Sequence, residues 1–267
     1  MFKALKFVVK EHIQNIGRMC KIAVDHMKKQ TSLTSLGIWW IFIGDIIHYA
    51  IYFTFRYLMT GGGDVQGMHI LVFLSSGLVP WFFINDIINS GSKAILKNKA
   101  IITSFAFPIT TIPTIEVLSI FIKRLFSLVI AFVIISIVGY AQYFNVLLFL
   151  YYFIAMFIFM VGFNLLISPM IALSNDFNML YSSLTRLFFF ATPVIWSFDR
   201  IQHMPLVITI LKLNPFAYII MGFRDAFYYG EIPDLQYSIY FWSLTIVVYF
   251  FGSYAQFRLR KYYADFI

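Results

Sequence analysis

Long apolar runs, each closed by a short polar turn, follow an amphipathic and basic first segment. The runs cover about residues 36–58, 70–89, 114–138, 146–173, 179–196 and 238–257. Most approach or exceed the roughly 20 residues that an α-helix needs to cross about 30 Å of hydrocarbon. They are apolar on all sides, whereas a surface helix of a water-soluble domain has a polar face. The pattern predicts an all-α integral membrane protein with six transmembrane helices.

Residues 1–30 differ in kind. Phe2, Leu5, Val9, Ile13, Ile16, Cys20, Ala23 and Met27 recur at three- and four-residue steps, and Lys3, Lys6, Lys10, Gln14, Arg18, Lys21, Asp25 and Lys28 take the other side. This predicts an amphipathic helix lying in the inner leaflet, lysines toward anionic head groups. A soluble arm docked on a partner is the alternative. Residues 31–267 form the six-span domain.

Two connections are too elaborate to be plain turns. In the segment 91–111, Ser92 is placed to cap a short basic helix over about 92–101 with Lys93, Lys97 and Lys99, and Pro108 and Pro113 stop it. Such a helix across the inner ends of spans either receives force from a soluble partner or is a connector kept basic for topology. Between the fifth and sixth runs, 204–213 and 216–229 are apolar but short, broken at Asn214-Pro215 and closed by Gly230 and Pro233. They predict a re-entrant outer hairpin over about 204–230, whose freed backbone groups are buried in protein or face a wet cavity.

Composition agrees with the membrane reading. Hydrophobic residues make up 61% and charged residues only 12%, against a usual charged share of about 25%. The formal charge of +8 is concentrated at the N-terminal segment and at Arg258, Arg260 and Lys261, beside spans rather than in a nucleic-acid-binding patch. The loop 61–69 carries no Lys or Arg, while 92–111 carries Lys93, Lys97 and Lys99. The positive-inside rule then puts both termini in the cytoplasm. The single cysteine, Cys20, excludes an intramolecular disulfide and a cysteine-rich metal site. No cleavable signal peptide is expected, because the first long apolar run begins only after some thirty-five polar-to-amphipathic residues.

Catalytic chemistry is sparse. Gly61-Gly62-Gly63 lacks the Lys-Ser/Thr of a phosphate-binding loop, and no HExxH or dense His/Asp/Glu cluster suggests a metal site. Ionisable residues within the runs are Asp45, His48, Arg56, Asp86, Glu116, Lys123, Arg124 and Arg186, and such groups mark pairing or function. Arg56 and Asp86 lie near predicted span ends, within reach of water; Lys123 and Arg124 snorkel or pair with Glu116. Asp45 and His48 share one helix face near mid-span, as an interhelical structural pair or a proton relay. Aromatic residues are dense at Trp39-Trp40, Trp81-Phe82-Phe83, Phe188-Phe189-Phe190 and Trp196; most belong to interfacial belts, and a minority would line a conduit.

Several local motifs, in order, resemble the membrane subunits of ABC-2 type exporters for cell-surface polysaccharides, and among these the wall teichoic acid translocation permeases. They are Trp81-Phe82-Phe83-Ile84-Asn85, Gly91-Ser92-Lys93-Ala94-Ile95, Phe107-Pro108 with Ile112-Pro113-Thr114, Thr192-Pro193-Val194-Ile195-Trp196, and Asn214-Pro215 with Arg224 nine residues on. The likeness runs from Lys10-Glu11-His12 to Ala264-Asp265-Phe266. It implies a homodimer in the bacterial plasma membrane with two copies of a separate ABC ATPase, which carries the ATP and Mg. No cofactor, catalytic residue or metal is expected in this chain. It implies export of lipid-linked wall teichoic acid or a related glycopolymer.

By position, the resemblance gives Ser92, Lys93, Lys97, Lys99 and Asp176 to the ATPase-coupling face, Asp176 in a short inner turn at 174–178. Asn175 stands where relatives often have Arg. Trp39, Asp45, Phe189, Trp196 and Arg224 are the candidates for the substrate pathway. Asp199, Glu231 and phosphate-bearing cargo are the candidate partners of Arg224. An ion-coupled secondary transporter would need a coupling-ion site and internal repeats, and no convincing repeat is present. A membrane-bound glycosyltransferase would need an acid and base at the bilayer edge, for which Arg224, Asp225 and Glu231 are the one outer polar group.

Overall fold

The computed structural model describes residues 2–32, 35–37, 39–61, 63–65, 67–98, 108–260 and 262. Lys99, Ala100, Ile101, Phe107, Lys261 and the segment 264–266 lie outside them, so no placement is given for these expected coupling and motif residues.

The described residues are almost wholly helical. Helix α1 is Phe2–Ser32, α2 Trp39–Thr60, α3 Ile70–Asn89, and a 3-10 turn Gly91–Lys93 leads into the four-residue α4, Ala94–Lys97. Then follow α5 Ile112–Ile137, α6 Val146–Leu173, α7 Asn175–Phe190, α8 Pro205–Lys212, α9 Pro215–Arg224 and α10 Leu235–Leu259. The starts are set by local chemistry. Asn145 accepts from the amides of Leu147 and Leu148 (3.1 and 3.2 Å), Asn214 from Phe216 (3.0 Å) and Asp234 from Tyr237 (2.8 Å). Prolines at the first turns of α5, α8 and α9 cost no hydrogen bond there.

α3 is the central helix, buried from Val72 to Ile84 without a break. α6 and α10 cross where glycines let the backbones meet. A Cβ on Gly252 would stand 2.8 Å from the Gly162 carbonyl, and one on Gly162 3.2 Å from the Tyr249 backbone. Small residues at helix crossings are how spans associate when lipid is as apolar as Leu.

Among the described residues, four helical stretches have the length and hydropathy of spans: Ile70–Lys97, Ile109–Ile137, Val146–Leu173 and Leu235–Leu259. A fifth arises if Pro205–Lys212 and Pro215–Tyr229, bent by 96°, count as one broken span. α2 has 22 residues, but Asp45, His48 and Arg56 lower its mean hydropathy. The run 179–196 was expected to cross whole; instead α7 has 16 residues, about 24 Å at the helical rise, and gives way to turns after Phe190. The inner turn expected at 174–178 shrinks to Ser174, whose Oγ accepts from the Phe177 amide (3.1 Å). Asp176 is therefore in the first turn of α7, exposed, where a carboxylate suits the helix N-terminus.

α1 shows two apolar stripes, not one. Ala4, Val8, Met19 and Ala23 are buried against the protein, and Met19 and Ala23 pack on Ile115 of α5. Phe2, Ile13 and Ile16 are 81%, 69% and 64% exposed, along the edge between the buried face and the lysines. His12 sits in the packed face. Its Nδ1 donates to the Val8 carbonyl (2.7 Å), so Nε2 accepts from the Thr114 hydroxyl (2.7 Å), and burial holds its pKa below the usual imidazole value.

Candidate functional site

The apolar helix α7 ends in a largely buried, non-helical passage, 191–197, where unsatisfied backbone is costly. Every carbonyl from 191 to 196, that of Thr192 aside, has a side-chain donor. Asn214 Nδ2 donates to Ala191 O (3.2 Å) and to Thr192 Oγ1 (2.8 Å). Arg224 Nη2 donates to the carbonyls of Pro193 (2.5 Å), Val194 (3.0 Å) and Trp196 (3.2 Å). Arg56 Nη1 reaches Ile195 O (3.3 Å). Both guanidiniums stack on Phe73, at 4.1 Å for Arg224 and 5.4 Å for Arg56. The hairpin break at Asn214-Pro215 thus places Asn214 at one end of the turn and, ten residues on, Arg224 at the other.

Two expectations are corrected here. Arg56 does not reach water at a span end; it is 5% exposed and serves the turn. Arg224 donates to backbone carbonyls, and its hydrogen bonds include neither Asp199 nor Glu231. α3 passes under the turn at Gly77, where a Cβ would stand 2.2 Å from Val194 O. A backbone oxygen held by Arg224 cannot step aside, so Gly77→Ala is expected to lower the melting temperature of the purified protein. A variant that melts with the wild type would show that the turn is loose.

Outside this turn lies a cavity of about 430 Å³, lined by Asp199, Lys212, Arg224, Asp225, Tyr229 and Glu231 among others. Gly230, at φ 67°, closes the π-helical turn Asp225–Tyr229 on its wall. Among the described residues no group of three or more His, Cys, Asp or Glu is placed to hold a metal ion.

A second cavity, about 340 Å³, opens between α2, α3 and α7. Its wall is aromatic, with Phe189 against Trp81 (5.3 Å) and Tyr52 (5.4 Å), and polar at His48, Asn85, Asn89 and Arg186. Of the five residues assigned to the pathway, Phe189 lines this cleft and Arg224 the outer cavity. Trp39 is exposed and packs on Phe42 (5.7 Å). Trp196 packs on Phe198 (5.3 Å).

Asp45 faces neither cavity. It is 2% exposed and receives Arg124 Nη1 at 2.6 Å and the Ser127 hydroxyl. Arg124 also forks onto Asp86 through Nε (2.8 Å) and Nη2 (2.9 Å), and Lys123 reaches the same carboxylate at 2.7 Å. Two acids from α2 and α3 thus neutralise two bases of α5. The expected pairing of Lys123 and Arg124 with Glu116 is incorrect: seven and eight residues along one helix put the heads too far apart. Asp86 is likewise paired with α5 instead of reaching head groups. His48 hydrogen-bonds its own helix at Gly44 O (2.7 Å) and is exposed, so it and Asp45 do not form a relay.

After α3, Ser92 does not cap α4. Its buried hydroxyl donates to Ile88 O (2.6 Å), and Lys93 occupies the cap position without a side-chain bond. Lys97 Nζ bonds Ser90 Oγ and lies 3.6 Å from Glu116, which also faces His26 of α1 at 3.5 Å. A buried carboxylate therefore joins α1, α4 and α5. Lys93, Leu96 and Lys97 remain accessible, and Leu96 is an exposed apolar contact that the basic pattern did not single out.

These features define an all-helical membrane protein with a broken pair of helices at Asn214-Pro215 and a short helix after α3. The chain belongs to the ABC-2 type transporter family, whose model matches residues 20–228. It is 23% identical over 233 residues to the O-antigen export system permease protein RfbA of Myxococcus xanthus, covering 86% of this chain and 87% of that protein. The protein of the same name from Klebsiella pneumoniae is 25% identical over 228 residues, covering 83% of this chain and 85% of the relative.

Proposed function

We propose that this chain is the membrane subunit of an ATP-driven exporter of a lipid-linked cell-surface polysaccharide, wall teichoic acid or a related glycan. The observation that carries this reading is the match to two permeases named for O-antigen export along more than four-fifths of the chain. The subunit works as a homodimer with two ABC ATPase subunits, in the bacterial plasma membrane with both termini cytoplasmic. ATP and Mg belong to the partner. In this reading α2 and α7 also cross, which gives six spans with the hairpin re-entrant.

The aromatic and amide wall between α2, α3 and α7 suits a glycan, since rings pack on sugar faces and Asn85, Asn89 and Arg186 bond hydroxyls or phosphates. The inner face of α4, with Lys93 and Leu96, and Asp176 of α7 meet the ATPase. Ser92 acts there only by fixing the helix, and Lys97 by its tie to Glu116.

Lys93→Glu with Leu96→Asp is expected to reduce co-purified ATPase at least five-fold while the protein still inserts. Wild-type recovery of the ATPase would remove α4 from the interface. Lys97→Glu places two carboxylates together at Glu116, so it should loosen α1 as well.

A further inference from the structure

A groove unrelated to the cleft or the outer cavity runs up the other side of the bundle. Its lower part, about 470 Å³, lies between α1, α5, α6 and α10, with Ile13, Ile16, Thr114, Leu118 and Phe157 on its walls. Its upper part, about 290 Å³, continues between α5 and α6 past Ile122, Leu125 and Phe153. Leu118 and Phe157 line both parts, so the two adjoin along α5 and α6. We propose that this groove holds an acyl chain of an anionic phospholipid of the inner leaflet, with its head group against the lysines of α1.

Length, width and charge select that occupant. Thr114 to Leu125 spans eleven residues of helix, about 16 Å at 1.5 Å each. That is half of a hydrocarbon core about 30 Å thick, the depth of one leaflet. A polyprenyl tail of a lipid-linked polymer overruns such a length. A helix of a second copy, about 10 Å across with its side chains, needs more room than these volumes give. Inside the groove the polar pair His12 and Thr114 is bonded to itself at 2.7 Å, so a tail and not a head group enters.

At the groove mouth α1 presents its exposed apolar edge, Ile13 and Ile16. Lys6, Lys10 and Lys21 are exposed on the adjoining face of the same helix, placed for phosphate as the tail passes inward. The proposal rests on the reading of α1 as an inner-leaflet helix, and it is independent of cargo and ATPase.

The full-length protein in nanodiscs of phosphatidylglycerol and phosphatidylcholine, doped with phosphatidylglycerol carrying a diazirine in its tail, provides the test. Photolabel is expected on Leu118, Ile122 and Phe157 well above the outward faces of α2 and α7. Leu118→Trp, which fills the groove, should cut that label and the phosphatidylglycerol retained in native mass spectra at least five-fold. Lys6→Gln, Lys10→Gln and Lys21→Gln together should erase the preference over phosphatidylcholine and leave tail labelling in place.

Label spread evenly around the helices would overturn the site. So would labelling by diazirine-tailed undecaprenyl phosphate in preference, or a disulfide between copies of Leu125→Cys. If Leu118→Trp fails to insert, the wild-type label map decides alone. Failure of ATPase co-purification would overturn the exporter reading and leave this map unchanged.

Discussion

Arg224→Ala is expected to abolish export and to lower the melting temperature more than any other single substitution in the outer half. The change strands the carbonyls of Pro193, Val194 and Trp196, which Arg224 now satisfies. Each buried unmade bond costs about 1–3 kcal/mol, and the stacking on Phe73 goes with them. Arg224→Lys keeps the charge but loses the planar face that lies on Phe73, so it should recover only a small part of either property. Thermal unfolding in detergent, with export measured in cells at matched expression, checks this. An alanine variant that melts normally yet fails to export would mean that Arg224 acts on cargo and not on the turn. One that exports normally would remove both roles.

Arg124→Leu should be the most damaging substitution among the charged residues of α2, α3 and α5. It leaves Asp45, 2% exposed, and Asp86 without the guanidinium that bridges them. Breaking a buried pair from one side costs about 3–5 kcal/mol, because the remaining charge stays desolvated. The expected result is degraded or aggregated protein at normal transcription. Adding Asp45→Asn should recover part of the folded yield, since Asp86 retains Lys123 at 2.7 Å. Equal yields of single and double variants would show that Asp45 and Arg124 are not energetically coupled.

The helices were legible because crossing hydrocarbon demands uniform apolarity over a fixed length, and residues 70–89 and 146–173 emerge with the bounds expected. The break between α8 and α9 was legible from Asn214-Pro215, where a proline breaks one helix and an asparagine caps the next. Partners of the intramembrane charges were not, because they lie across helices: Arg124 meets Asp45 and Asp86, 79 and 38 residues away. One signal was present, since Asp45 and Asp86 balance Lys123 and Arg124 in number.

The end of α7 was hidden because 191–196 is apolar in sequence and irregular in backbone, its cost met by Arg56, Asn214 and Arg224. The packed face of α1 was missed because Ala4 and Val8 look no different from lipid-facing residues until α5 is beside them.

Export through this subunit is proposed to be driven by ATP. Proteoliposomes holding the chain and its co-purified ATPase, loaded from one side with lipid-linked polymer, test it most directly. The expected result is ATP-dependent appearance of polymer on the far side, and none with a non-hydrolysable analogue. Movement driven by an ion gradient without ATP, or ATP turnover with no movement of polymer, would contradict it.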